Sequence, residues 1–204
     1  MNASERTAGI ILAAGLAARM GRPKQLLSWG GRPLVRAVAE QALASQLDHV
    51  LAVVGAAAPD VSAALEGLPV EIVHCPEYAA GQSASLRAGV AALARDVAAA
   101  VVLLADQPFV TPAIVDRLLE EWRTSGAAIV APVYRGTRGN PVLFGRAVFA
   151  ELLAVTGDRG ARALIAGDPG RVRLVPFDDD RPLIDIDTPE DYTRVQHAPG
   201  DSPD

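Results

Sequence analysis

The chain contains one cysteine, Cys75, in 204 residues. No disulfide can close within it, and a cysteine-rich metal centre is excluded. Histidine is also sparse: His49, His74 and His197 lie far apart, with no metal-ligand spacing. Aromatic residues make up only 4%, so a core must be built mostly from Ala, Val, Leu and Ile. Long apolar runs are missing too. The longest, Val97 to Ala105, stops at Asp106 and covers about half of the ~20 residues that a membrane-crossing helix needs. Met1 to Thr7 is polar and mixed in charge, unlike a signal peptide, so the expected location is the cytoplasm. Positive charge is not in excess: 19 Lys+Arg stand against 24 Asp+Glu, a net charge of -5. That balance gives no general support for nucleic-acid binding. A small anionic ligand held by a few focused cations fits it better.

What is present is a half-hydrophobic chain, 50% apolar and 21% charged, of a size that suits one globular domain. Nearly continuous apolar runs predict strands at Gly9–Ala14, Val50–Val54, Val70–His74, Ala99–Ala105, Ala128–Val133 and Val172–Val175. Helical patterns lie between them, at Pro33–Ala44, Asp60–Glu66, Ser85–Arg95, Pro112–Thr124 and Pro189–Gln196. The fourth has Thr111 as N-cap, Pro112 in its first turn and Gly126 after its end; the last has a capping-box-like Thr188 and Asp191. Strand and helix in alternation predict a three-layer α/β/α sandwich, Rossmann-like, with a mostly parallel sheet. Asn140–Phe144 reads as an extra, antiparallel strand. There is no internal repeat. One domain is expected over residues 6–196, with a proline- and acid-rich tail, 197–204, expected to be disordered.

The first strand leaves through L-A-A-G-L-A-A-R-M-G-R-P-K, Leu12 to Lys24. An exposed connection with surface cations would explain it. So would a phosphate loop, because ligands in open parallel sheets sit at the carboxyl ends of the strands. Glycines let backbone N–H groups approach an anion, and Arg19, Arg22 and Lys24 would neutralise it. Neither common phosphate loop matches: the Rossmann G-x-G-x-x-G is absent, and five residues rather than the P-loop's four separate Gly15 from Gly21.

The loop does resemble the signature of the MobA-like nucleotidyltransferases, at Leu12, Ala13, Ala14, Gly15, Arg19, Met20, Gly21 and Lys24. The resemblance continues through GQSASLRAG (Gly81–Gly89), LLADQPFVTP (Leu103–Pro112), RGNPVLF (Arg138–Phe144) and DIDTPEDY (Asp185–Tyr192). Within the family the chain looks like the molybdenum cofactor cytidylyltransferase branch. The fold so implied is nucleotide-diphospho-sugar transferase-like. The activity implied is transfer of CMP from CTP to a phosphorylated acceptor, most simply molybdenum-bound molybdopterin, with release of pyrophosphate.

The resemblance also assigns residues. Asp106 closes the most apolar strand, where a turn aspartate before Pro108 is the plain alternative. Asp187 could equally serve to cap the helix that follows it. The resemblance makes Asp106 and Asp187 the carboxylates that hold Mg²⁺ on the nucleotide phosphates, with Asp185 one shell behind them. Lys24 and Arg19 would spread over the triphosphate and stabilise the leaving pyrophosphate. Leu12, Ala13, Ala14, Gly15, Gln82 and Ser83 would complete the nucleotide site, although Ser83 or Ser85 could simply cap a helix. Gly139, Asn140 and Pro141 would meet the acceptor.

Two details bear on substrate. The cytidylyl branch reads L-A-A-G and the guanylyl branch tends to L-A-G-G, so Ala13-Ala14 favours CTP. Against that, the branch often shows G-H-P where this chain has Gly139-Asn140-Pro141, which leaves the acceptor open. After the glycine turn at Gly157, Arg159 and Arg162 could grip an acidic pterin phosphate or be surface arginines on a helix start. A molybdoenzyme or its maturation chaperone is the implied partner. The alternatives are a guanylyltransferase or an enzyme with another phosphorylated acceptor. From other classes come a nicotinamide- or flavin-dependent oxidoreductase and a non-catalytic cofactor-insertion chaperone. Cys75, His74, Trp29 and Trp122 read as structural, with His74 and Cys75 partly buried and Trp122 covering core.

Overall fold

The computed structural model describes residues 5–15, 23–157, 161–186 and 188–196. The elements, in chain order, begin with β1 (Arg6–Ala13), the short strands β2 (Ser28–Trp29) and β3 (Arg32–Pro33), α1 (Leu34–Leu43), β4 (His49–Val54), α2 (Ala58–Ala64) and β5 (Glu71–His74). There follow α3 (Gln82–Ala92), β6 (Val97–Leu104), α4 (Pro112–Ser125), β7 (Ile129–Tyr134), β8 (Thr137–Arg138) and β9 (Val142–Gly145). Helices α5 (Phe149–Ala154) and α6 (Arg162–Gly167), strand β10 (Val172–Phe177) and helix α7 (Pro189–Gln196) complete the order.

The main sheet runs β10-β7-β9-β6-β1-β4-β5, with β8 beside β7. Strands β6, β1, β4 and β5 are mutually parallel. Strand β9 is antiparallel to both β6 and β7, as its sequence suggested. The hydrophobic pattern explains the layers. Along β1, Ile11 and Ala13 join the core beneath α1, α2 and α4, while Ala8 and Ile10 join the core beneath α3, α5 and α6. Alternate residues of a strand face opposite sides, so a strand covered on both faces must be apolar throughout. The architecture is the three-layer sandwich with a mostly parallel sheet. Among the described residues no helix is long and apolar enough to cross a membrane.

Two caps are as expected and one is not. The Thr188 amide donates to Asp191 Oδ2 at 3.1 Å and the Asp191 amide donates to Thr188 Oγ1 at 3.1 Å, the reciprocal capping box. Gly126 ends α4 in the left-handed conformation. Helix α3 starts at Gln82, three residues before its expected start, because Gly81 (φ 97°) turns the chain directly into the helix. Neither Ser83 nor Ser85 is its N-cap. The same helix lies unusually close to the sheet: a Cβ on Gly89 would stand 2.5 Å from Ile10 Cγ2. Only a residue without a side chain permits that approach.

His74 is exposed, contrary to expectation, because it ends the edge strand β5; Cys75 and Trp122 are buried as expected.

Candidate active site

Parallel pairing of β1 with β6 aligns Leu12 with Leu104. The residues that follow each strand therefore leave the sheet side by side at its carboxyl edge. The Ala105 amide donates to the Leu12 carbonyl at 3.2 Å, continuing the ladder into the loops. A cleft of about 410 Å³ opens there, lined by residues of four segments. Leu12, Ala14 and Gly15 come from the β1 loop, Lys24 and Gln25 from its return, Gly81, Gln82 and Ser85 from the start of α3, and Leu104 to Asp106 from β6.

Asp106 is 8% exposed. The Lys24 ammonium donates to its Oδ2, and the two side chains form a partly buried ion pair. A buried carboxylate that lost such a partner would be costly to keep ionised. Gln25, 3% exposed, uses both amide hydrogens on backbone carbonyls: Nε2 donates to Ala13 O at 3.2 Å and Gly15 O at 3.0 Å. This clasp holds the departing end of β1 at a fixed height above the cleft floor. The start of α3 faces the same space. Unsatisfied amides and the helix dipole make a helix N-terminus favourable to anions.

A small apolar cluster joins the segments that carry the charges. Leu27, Leu34 and Ile186 are buried together, with Trp29, Phe109 and Tyr192 packed on them. The rings of Trp29 and Phe109 meet edge to face at 5.2 Å, and Tyr192 Oη donates to the Ser28 carbonyl at 2.7 Å. Burying each large aliphatic contributes about 1.5–3 kcal/mol. The return from the first loop, the loop after Asp106 and the segment before α7 are thereby held together. The Ile186 amide also donates to the Asp106 carbonyl at 3.4 Å, and Gln107 Nε2 donates to Asp185 Oδ1 at 2.5 Å.

A second, smaller cavity of about 40 Å³ adjoins the cleft, sharing Leu12, Gln82 and Leu104 with it. Its walls are apolar, including Leu86, Val142 and Phe144, and its polar groups include Asn140 and Arg162.

Of the residues expected to bind nucleotide, Leu12, Ala14, Gly15, Lys24, Gln82 and Asp106 line the cleft. Ala13 lies just beneath, with its carbonyl held by Gln25. Ser83 is fully buried, its amide donating to Gly157 O, and Ser85 lines the cleft instead. Of the acceptor trio, Asn140 reaches the second cavity, while Gly139 packs against Tyr134 and Leu183, and Pro141 is buried. Arg19, Arg159 and Asp187 lie outside the described residues. The sequence reading missed Gln25, Tyr78, Ala79 and Gln107. Tyr78 and Ala79 follow β5, whose carboxyl end lies on the same rim, so the parallel-sheet rule could have found them.

Comparison with known proteins identifies the family. The family model for the MobA-like NTP transferase domain matches residues 9–174. Nicotine blue oxidoreductase of Paenarthrobacter nicotinovorans is 36% identical, over 92% of this chain and 95% of its own length. Purine catabolism protein PucB of Bacillus subtilis is 32% identical, over 93% and 96%. The molybdenum cofactor guanylyltransferase of Rhodobacter capsulatus is 36% identical, over 94% and 95%. The Escherichia coli molybdenum cofactor cytidylyltransferase is 27% identical, over 90% and 92%. Among solved structures, Rv0371c of Mycobacterium tuberculosis superposes with a TM-score of 0.86 at 32% identity, covering 96% of this chain and 100% of that one. The same protein has been crystallised with manganese. The fold alone is shared with 4-diphosphocytidyl-2C-methyl-D-erythritol synthase of Anaerococcus prevotii, at 15% identity and a TM-score of 0.73 over 94% of this chain and 96% of that one. With the family model spanning most of its length and the motif residues Gly15, Lys24, Gln82 and Asp106 on one rim, the chain belongs to the MobA-like NTP transferase family of nucleotidyltransferases.

Proposed function

We propose that the protein transfers CMP from CTP to a phosphorylated small acceptor, most simply molybdenum-bound molybdopterin, in the cytoplasm. The observation that carries this reading is the meeting of Lys24 and Asp106 in one cleft between the β1 loop and the end of β6. A triphosphate needs a cation on its oxygens and a carboxylate nearby to hold a metal, and this cleft offers both.

Magnesium binds hard oxygen ligands, usually one or two carboxylates completed by phosphates and water. The Asp106 carboxylate suits it, and its oxygen already accepts a cation, the Lys24 ammonium. We assign Asp106 and Asp187 as the ligands. When bound, Mg²⁺ would neutralise charge on the triphosphate.

The chain's own residues then do the following. Lys24 and Arg19 hold the β- and γ-phosphates and stabilise the charge that grows on the departing pyrophosphate. Gly15 and the start of α3, with Gln82, orient the α-phosphate. Asn140 and Arg162, which border the small cavity beside the cleft, contact the acceptor. An acceptor phosphate oxygen attacks the α-phosphorus; that bond forms as the bond from the α-phosphorus to the bridging oxygen breaks, and pyrophosphate leaves. The attacking oxygen is already ionised near neutral pH, so no protein nucleophile or histidine base is needed. Positioning and charge supply the acceleration. The product would be the cytosine dinucleotide form of the cofactor, delivered to a molybdoenzyme or its maturation chaperone.

CTP is favoured by Ala14. GTP is the second reading, favoured by the higher identity to the guanylyltransferase than to the cytidylyltransferase. A redox reading rests on the name of one relative. The deciding experiment is pyrophosphate release with CTP, GTP, ATP and UTP, each with and without molybdopterin, beside an assay of nicotinamide oxidation. Acceptor-dependent release with CTP alone is expected. Preference for GTP would reassign the base, and nicotinamide turnover without pyrophosphate release would overturn the transferase reading.

A further inference from the structure

Gln107 follows Asp106 directly and is 3% exposed. It spends its amide on a charged side chain 78 positions away: Nε2 donates to Asp185 Oδ1 at 2.5 Å. One step along each segment, the Ile186 amide donates to the Asp106 carbonyl at 3.4 Å. Ile186 is itself fully buried, in the cluster with Leu27 and Leu34. Residues 106–107 and 185–186 are thus tied by one side-chain and one backbone bond. A hydrogen bond to a charged acceptor is worth more than a neutral one. Asp185 also brings a negative charge into a region that already holds Asp106. An amide donor stabilises that charge without competing for the cleft, whereas a lysine in its place would put a second cation beside Lys24.

We infer that Gln107 is a positioning residue: through Asp185 it sets the spacing between the Asp106 segment and the segment of Asp185 and Ile186, and so the affinity of the site for a divalent cation. The inference rests on the reading of Asp106 as a cation-holding group. Partners one shell behind a metal's ligands alter its affinity by about 10–100-fold.

The test is titration of the protein with Mn²⁺, followed by electron paramagnetic resonance, with a thermal melt for each variant. Gln107→Leu and Asp185→Ala should each weaken Mn²⁺ binding by roughly tenfold or more, and the double variant should be no weaker than either alone. Asp185→Asn keeps an accepting oxygen but loses the charge that strengthens the bond, so it should bind Mn²⁺ more weakly than the parent and more tightly than Asp185→Ala. Parent-like binding by Gln107→Leu would overturn the inference. So would Asp185→Asn falling as far as Asp185→Ala, which would make the charge of Asp185, and not its hydrogen bond, the active property. If Gln107→Leu melts early, Asp185→Ala and Asp185→Asn decide between the same outcomes from the other side of the bond. If Asp106→Ala binds Mn²⁺ as the parent does, the cation is not held at Asp106, and the reading of the site fails before the role of Gln107.

Discussion

Lys24 and Asp106 stand 82 positions apart in the chain and meet as an ion pair at the carboxyl edge of the sheet. If the pair serves a triphosphate, each member has its own signature. Asp106→Ala should reduce pyrophosphate release by about 10²–10³-fold or more while the fold survives, a loss typical of removing a charge-stabilising group. Lys24→Ala should reduce the rate on a similar scale and raise the KM for nucleotide. Steady-state pyrophosphate assays with circular dichroism on each variant check both. Full activity in Asp106→Ala would remove that carboxylate from the mechanism.

Gln25 predicts a different kinetic pattern. Gln25→Leu removes the two hydrogen bonds to Ala13 and Gly15 carbonyls and leaves those acceptors unsatisfied, at a cost of about 1–3 kcal/mol. The loop would lose its fixed height, so the KM for nucleotide should rise more than kcat falls. Chemical denaturation gives the stability change and initial rates give the split. An unchanged KM would show that the loop is held by other contacts.

Tyr134 predicts an alkaline limit to stability. It is fully buried, and its hydroxyl donates to the Asn140 carbonyl at 2.7 Å. Burial, and then the negative charge of Asp179, pushes its phenol well above the ordinary value. A raised pKa means that the stabilising contribution is intact below the unfolded value of about 10 and declines as pH rises beyond it. The late phenolate absorbance should appear together with unfolding. Tyr134→Phe should cost about 1 kcal/mol at neutral pH and flatten the loss of stability above pH ~10. Titration of Tyr134 as an ordinary phenol in the folded protein would contradict this.

Gly89 tests how α3 is seated. An alanine there gains about 1 kcal/mol in helix propensity. Its Cβ, however, would stand 2.5 Å from Ile10 Cγ2 and 3.1 Å from Val53 Cγ2, and overpacking of this kind costs about 1–3 kcal/mol. Gly89→Ala should therefore lower Tm by a few degrees, at ~2–4 °C per kcal/mol. It should also weaken nucleotide binding, since α3 carries Gln82. A higher Tm would mean that the helix can slide outward freely.

Much of this molecule was legible from local pattern. Apolar runs located the six strands that the sequence predicted: β1, β4, β6 and β7 lie inside the sheet, where a strand covered on both faces admits few polar residues, and β5 and β10 at its edges kept enough apolar residues to be read. The Thr188–Asp191 box was legible because capping acts within one turn of helix. Helix α5 went unread, since six residues span too few turns to show a periodicity. Ser83 was misplaced for a related reason: its burial depends on where α3 begins, and Gly81 moved that start to Gln82.

The sequence by itself determined the layer architecture and supplied the chemical groups, because periodicity and residue type are local properties of the chain. The tertiary structure decided which groups meet. Lys24 reaches Asp106, and Gln107 reaches Asp185, only because β1 and β6 pair in parallel and an apolar cluster around Leu34 and Ile186 draws three distant segments together. Contacts across roughly eighty residues follow from packing and strand order, and no short stretch of sequence encodes either.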